Sequence, residues 1–468
     1  MQRSRHIRSV KSRKQLCSVP IDSDAKPVYG SGTPGPLEMY RLLLSNRQEY
    51  YRRKLEQFDD ITFINLFGQK VVLALTPDGA QAVAMNLDKA LASGPSWGMF
   101  IGLAFRRGIL LLDFDEHRLH RSVMQSAFSS PNLKGYLQEM QPMLARKVGA
   151  LPSGQVQLAH VFKSISLSIA LEVFVGVKLP QAEADRIINA FTDCLASVGA
   201  FVRYPVPGGQ WARAIAGRKD LEAFFYGLLP QKRATETPDL FSVLCHARSE
   251  QGDAFSDEDV VNHMIFVLFA AHDTSTVALT TMAYYMARHP EWQERARARA
   301  LSLPAELAYE HLAEMTELDW IMKEALRLNS PVPWLARQAV RDTTVNGYYI
   351  PAGTMVMAPT GAVHANPRVW HDPYTFDPER FSPERAEDKG HRFRWMPFGG
   401  GVHKCIGLYF AQMEIKTILH HLLRNYEWSI PADYRWTLEP RSLGEPVDGL
   451  RTQLRRVTVS PPAPDDGE

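Results

Sequence analysis

The stretch Phe398-Gly-Gly-Gly-Val-His-Lys-Cys405-Ile-Gly407 constrains this chain more than any other. It sets one cysteine among glycines and runs straight into an apolar helical pattern. Glycine lets the backbone turn tightly and approach a flat ligand, because no Cβ stands in the way. Amide N–H groups freed by such a turn can point at the sulfur, and the start of the next helix adds the positive end of its dipole. Both favour a thiolate at Cys405. A lone cysteine is usually buried and inert; the glycine run and the helix start argue instead for a metal ligand. Zinc is a weak rival, since no second Cys or His pair stands at zinc spacing from His403 and Cys405.

Composition narrows the setting. With 468 residues and 45% apolar content, the chain can bury a sizeable core as one large domain or two to three ordinary ones. A net charge of +2 gives no argument for nucleic acid. Cys17, Cys194, Cys245 and Cys405 show no paired spacing, which suits a reducing compartment. No run of 18 apolar residues exists, so no transmembrane segment is expected. Arg3, Arg5, Arg8, Lys11, Arg13 and Lys14 precede any acid, without an apolar core of the signal-peptide kind. Residues 1–30 read as a basic, disordered tail, with electrostatic contact to anionic lipid or an acidic partner as the sharper alternative. Residues 461–468 read as a second disordered tail.

Along the chain, residues 37–57 have helical spacing, 61–75 alternate as a hairpin around Gly68, and a short helix covers 79–87. Trp97 to Phe105 reads as an irregular aromatic segment. A helix opens near Asp115, and another spans 156–177. Helices 184–200 and 217–229 flank a Pro/Gly break and suggest a lid, with Phe191 and Phe201 on its inner side. The longest helix runs from the Ser256-x-x-Asp259 start to Arg288, before His289-Pro290, about 50 Å at roughly 1.5 Å per residue. After a helix over 307–328, Pro331 to Arg337 is extended, because each Pro biases its predecessor away from helix. A last helix over 406–425 and two strands close the chain.

Three pairings carry chemistry. In Ala270-Ala-His-Asp273-Thr274 an acid and a hydroxyl sit in the apolar middle of the long helix, costly unless satisfied or used. The bland alternative is a hydroxyl bonded back to the preceding turn beside a salt-bridged Asp. His117 and Arg121, four apart, share one helix face, and Glu324 and Arg327 are neighbours at i, i+3.

Phe398-x-x-Gly-x-His-x-Cys405-x-Gly407 resembles the cysteine-ligand loop of the cytochrome P450 family, with His403 where Arg is usual, a variant similar to sterol 14-demethylases. The acid–Thr pair, Glu324-x-x-Arg327, Arg380 in Pro378-Glu-Arg-Phe381, and the His117/Arg121 pair lie in the family's order, so the resemblance covers roughly residues 30 to 460. It implies a mainly α fold with a small β portion, one catalytic domain over 31–460, and haem b between the long helix and the cysteine loop. It implies Cys405 as iron ligand and Phe398 and Gly407 beside it. His117, Arg121, Arg337 and His403 would hold the propionates. Ala270 and Thr274 would bracket the distal pocket, with Thr274 and Asp273 managing oxygen and protons. Glu324, Arg327 and Arg380 would form a buried scaffold network. The substrate pocket would draw on Trp97, Phe100, Phe105, Phe191, Phe201, Val332, Trp334 and Leu443. Ala271 departs from the family's usual Gly, which bears on the depth of the oxygen groove.

The implied reaction is monooxygenation of a hydrophobic substrate: a sterol, terpenoid or fatty acid. The length leaves no room for a fused flavin reductase, and no dinucleotide glycine fingerprint is present. Electrons are therefore expected from a ferredoxin and its NAD(P)H-dependent reductase, docking near Arg392, Arg394 and Lys404. A monomeric, cytoplasmic, bacterial enzyme is expected. The alternative is a haem-binding sensor or carrier without turnover.

Overall fold

The computed structural model describes residues 13–457 apart from 45–46, 67, 196, 198–199, 201 and 440–442. Helices dominate, and the strands gather into one larger and two smaller sheets. The hairpin Ile61–Leu66 with Gln69–Ala74 forms as its alternation predicts, Ile61 opposite Ala74 and Leu66 opposite Gln69. It lies within a seven-stranded sheet in the order Lys14–Gln15, Tyr29–Gly30, Ile61–Leu66, Gln69–Ala74, Met355–Pro359, Trp334–Ala339, Leu91–Ala92.

Residues 14–30, expected within a disordered tail, thus enter the fold. Lys14 pairs with Gly30, and Tyr29 with Thr62. The physical reason is apolar: Leu16 and Val28 are buried against the sheet. Residues 1–12, with most of the basic cluster, and the tail 461–468 lie outside the described residues.

Strand alternation sorts the side chains of Trp334–Ala339 onto two faces. Trp334 and Ala336 pack with Met355 and Met357, while Leu335 joins Val356, Ala358, Phe393 and Met396. Arg337, two residues on from Leu335 and paired with Val356, takes the second face. That face is turned to the segment leading into the cysteine loop.

The long helix Asp257–Arg288 begins as its sequence predicts. Ser256 Oγ accepts the Asp259 amide at 3.1 Å, and Asp257, Glu258 and Asp259 occupy the positive end of the dipole. Trp97–Phe105, expected to be irregular, is instead part of the helix Gly94–Phe105. Its start is capped from far along the chain: the Asp113 carboxylate accepts the amides of Ser93 (2.5 Å) and Gly94 (2.8 Å). Ile101, Ala104 and Phe105 then seal it to the core. The continuous helix expected over 156–177 is divided into a strand Gly154–Gln157, a helix Leu158–Ile169 and a π turn Ala170–Val175. The strand pairs with Arg451–Arg456, and that distant pairing overrides local propensity. Leu158–Val175 and Asp257–Arg288 are long and apolar enough to cross a membrane. However, 67% and 78% of their most apolar windows lie inside the fold, so they serve as core.

Candidate active site

Cys405 is held by a loop that closes on itself: its amide donates to the Phe398 carbonyl at 2.9 Å. Gly401 has φ 64°, and a Cβ there would stand 1.9 Å from the Ala84 carbonyl oxygen, so only glycine lets this loop lie on the helix Pro77–Met85. Phe398 packs at 5.9 Å from Trp395. Cys405 keeps accessible surface, yet protein surrounds it closely enough that burial is the largest influence on its thiol and raises it. The Gly407 N–H directed at the sulfur, then Arg121 and Lys404, act in the opposite sense and favour thiolate.

Beside this loop stands a group of nitrogen donors. The His117 and His403 rings lie 3.9 Å apart between centroids. Arg121 is one turn beyond His117 on the helix Phe114–Gln125, and Arg337 comes from the sheet. Burial, then Arg121, Arg337 and His120, push His117 down to about 4. Burial, then Arg337, His117 and Arg121, push His403 down as well. Both are therefore neutral N–H donors at ordinary pH, not additional cations. Burial also lowers Arg337 to about 10, with Asp113 opposing.

Arg337 is buried, and its one acceptor among the described residues is the Ala336 carbonyl at 2.7 Å. Among the described residues neither Arg337 nor Arg121 has a carboxylate within 4.0 Å; of this donor group Asp113 reaches His403 alone, at 3.8 Å. A buried guanidinium without an anion is costly. The set is chemically suited to two carboxylates brought in by a ligand, as the propionates of a haem would be. The residues present fit that group.

The long helix runs unbroken through Ala270, Ala271 and Thr274. Thr274 Oγ1 donates to the Ala270 carbonyl at 2.6 Å, the back-bonded arrangement raised by the sequence as the bland alternative. Asp273 Oδ1 lies 2.8 Å from His272 Nδ1 and 3.9 Å from Lys163 Nζ.

Glu324, Arg327 and Arg380 come together without accessible surface. Arg327 donates twice to the Glu324 carboxylate, at 2.7 and 2.8 Å, and Arg380 Nε donates at 3.1 Å. Arg327 also donates to the His364 and Pro373 carbonyls, both at 2.7 Å, which pins the segment before the cysteine loop.

Of the predicted pocket residues, Trp97, Phe100 and Trp334 form one aromatic group, with successive ring centroids 6.3 Å apart. Val332 and Leu443 are half-buried. Phe105 is fully buried and stacked on Phe269 at 4.5 Å. Phe191, on the helix Gln181–Leu195, meets the His272 ring edge-on at 5.7 Å. Phe201 lies outside the described residues.

Three participants were missed at the level of sequence. Asp113 and Glu414 carried no local signal, whereas His272 stood in plain view beside Asp273. Glu414 is buried beneath the long helix and accepts from Ser275 Oγ at 2.6 Å. Burial pushes its carboxyl up to about 7 against the hydrogen bond from Ser275 Oγ. Between about pH 4.5 and 7 the unfolded chain releases this proton while the folded chain keeps it, so stability falls as pH rises through that window. Glu414→Gln should remove that dependence. In denaturant titrations, wild type should lose about 3 kcal/mol relative to the variant between pH 4.5 and 7; parallel curves would refute the buried, proton-bearing assignment.

The family model for cytochrome P450 matches residues 30–449. Cytochrome P450 136 of Mycobacterium tuberculosis is 41% identical over 451 residues, covering 94% of this chain and 91% of the relative. A sterol 14alpha-demethylase of Mycolicibacterium vanbaalenii is 27% identical, covering 82% and 88%. Abscisic acid 8'-hydroxylase 3 of Oryza sativa subsp. indica is 26% identical, covering 93% and 87%. Among solved structures, retinoic acid-bound cyanobacterial CYP120A1 superposes with a TM-score of 0.80 at 24% identity, covering 89% and 96%.

Proposed function

This chain belongs to the cytochrome P450 family of haem-thiolate monooxygenases, and from that premise we propose that it oxidises a hydrophobic small molecule, a sterol or terpenoid ahead of a fatty acid. The observation that carries this reading is the aromatic group Trp97, Phe100 and Trp334 between the Gly94–Phe105 helix and the sheet strand that bears Arg337. Such a wall offers flat apolar area and few charges, which suits a rigid ring system. Similarity to a sterol 14alpha-demethylase and an abscisic acid 8'-hydroxylase supports the same substrate class.

When bound, the haem supplies the oxidising chemistry: with two electrons and two protons, one atom of dioxygen enters a C–H bond and the other leaves as water. The chain's own residues set the conditions. Cys405 would hold the iron through its sulfur, its thiolate favoured by the Gly407 N–H and by Arg121. Arg121 and Arg337 would neutralise the propionates, and His117 and His403 would donate to them as neutral imidazoles. Thr274 has committed its one hydroxyl proton to Ala270, so toward the pocket it presents lone pairs and accepts a hydrogen bond. Asp273 holds and passes protons at its carboxylate. The Glu324 network keeps the ligand loop in place.

Electrons come from an external partner, for which a ferredoxin with an NAD(P)H-dependent reductase is our reading. Arg392 and Lys404 are exposed for docking. Arg394 is half-buried over the Trp370 ring at 4.7 Å and is better read as structure. A monomeric enzyme of the bacterial cytoplasm completes the proposal.

Spin-shift titration of the haem-loaded protein with a sterol, a diterpene and a long-chain fatty acid tests the substrate class. A response confined to the fatty acid would overturn the ring-system preference. In turnover with the responding ligand, Thr274→Ala should divert NAD(P)H consumption to hydrogen peroxide and cut product per NAD(P)H by roughly tenfold or more, with the spin shift retained. Full coupling in the variant would remove Thr274 from proton handling.

A further inference from the structure

His272 is buried and sits between three elements. Its Nδ1 is 2.8 Å from Asp273 Oδ1. Its Nε2 is 3.2 Å from the main-chain carbonyl of Lys163, on the helix Leu158–Ile169. The helix Gln181–Leu195 presents the Phe191 ring edge here. Among the described residues the charged groups facing this pair are Lys163 Nζ, 3.9 Å from Asp273 Oδ1 and partly exposed, and Glu445, 3.7 Å from that ammonium.

Both partners of the imidazole are oxygen acceptors. A neutral imidazole has one N–H and one lone pair, so either neutral tautomer would point a lone pair at an oxygen. Two acceptors are satisfied together only when both ring nitrogens carry protons, or when Asp273 itself holds one. From this geometry we infer that His272 and Asp273 store an extra proton within the long helix, resting on the imidazole, with His272 as the positioning residue that keeps it next to the carboxylate.

The inference rests on the monooxygenase reading, because that reaction consumes two protons per turnover. The proton passes from His272 Nδ1 to Asp273 Oδ1, leaving a neutral imidazole and a carboxylic acid. Asp273 delivers it toward the pocket side of the helix. The pair is recharged from solvent on the side where Lys163 stands, while the electrons arrive separately from the external donor. Phe191 covers the imidazole from the lid, so its displacement would admit water to the pair.

Two measurements test this on the whole haem-loaded protein. In the reduced, carbon monoxide-bound, diamagnetic form, 15N NMR of histidine-labelled protein reads ring protonation directly, and His272→Gln identifies the signal. In wild type His272 should show both nitrogens protonated, and Asp273→Asn should turn it into a single neutral tautomer. A neutral His272 in wild type, or a signal indifferent to Asp273→Asn, would overturn the proposal.

The second measurement is NAD(P)H-driven dioxygen consumption at saturating ferredoxin, without added substrate, in H2O and D2O. His272→Gln keeps an N–H for Asp273 but cannot carry the added proton. Its rate should fall by about tenfold with a larger solvent isotope effect; an unchanged rate and isotope effect would overturn the inference. If wild type itself consumed no NAD(P)H while the NMR signature held, the functional reading would fail and the stored proton would stand.

Discussion

Cys405→Ala should eliminate the long-wavelength Soret band of the reduced, carbon monoxide-bound protein and leave monooxygenation at background. Only the thiolate supplies strong electron donation to the iron; His403, two residues away, is held down as a neutral imidazole by burial, Arg337, His117 and Arg121. The loop itself should survive, because its closing hydrogen bond runs from the residue 405 amide to the Phe398 carbonyl, and alanine retains that amide. Haem content should fall yet remain measurable through the donors at His117, Arg121 and Arg337. The check is the carbon monoxide difference spectrum beside haem quantification. A long-wavelength band persisting in Cys405→Ala would mean that another group ligates the iron, and the thiolate mechanism would have to be abandoned.

The second large effect concerns stability. Glu324 has no accessible surface and accepts from Arg327, Arg380 and the Asp377 amide. Glu324→Gln preserves shape but removes the charge that compensates two buried guanidiniums. Breaking one partner of a buried ion pair costs about 3–5 kcal/mol, against a total stability on the order of 5–15 kcal/mol. Arg380 retains Glu387 at 3.1 Å, so the loss should fall mainly on Arg327. The variant should unfold at a much lower urea concentration and yield little haem-loaded protein. Because Arg327 also ties down the His364 and Pro373 carbonyls, haem retention should fall before global unfolding. A urea midpoint close to that of wild type would show that the network is energetically neutral.

The remaining comparison between sequence and structure follows sequence separation. The glycine-cysteine loop, the capped start of the long helix and the Glu324–Arg327 pair were legible, because each depends on residues within one or two turns of one another. The helix Gly94–Phe105 was not. Its apolar, aromatic run read as irregular, and the residue that caps the helix, Asp113, is 19 positions from Gly94. Phe105 stood out by type alone, and its partners Phe266 and Phe269 on the long helix came only with packing.

The sequence by itself therefore determined that this chain has one candidate thiolate in a turn made for it, a long buried helix bearing an acid beside a hydroxyl, and a mainly helical fold. Those properties arise from local backbone freedom, helical spacing and capping. Only the tertiary structure decided which charges lack counterions, as at Arg337, and which hydroxyl proton is already committed, as at Thr274. It alone brought Glu414 to Ser275, 139 positions away, and the His272 ring to the Lys163 carbonyl, 109 positions away. Burial and hydrogen-bond satisfaction are properties of the packed molecule, and they set which proton and which charge each residue can hold.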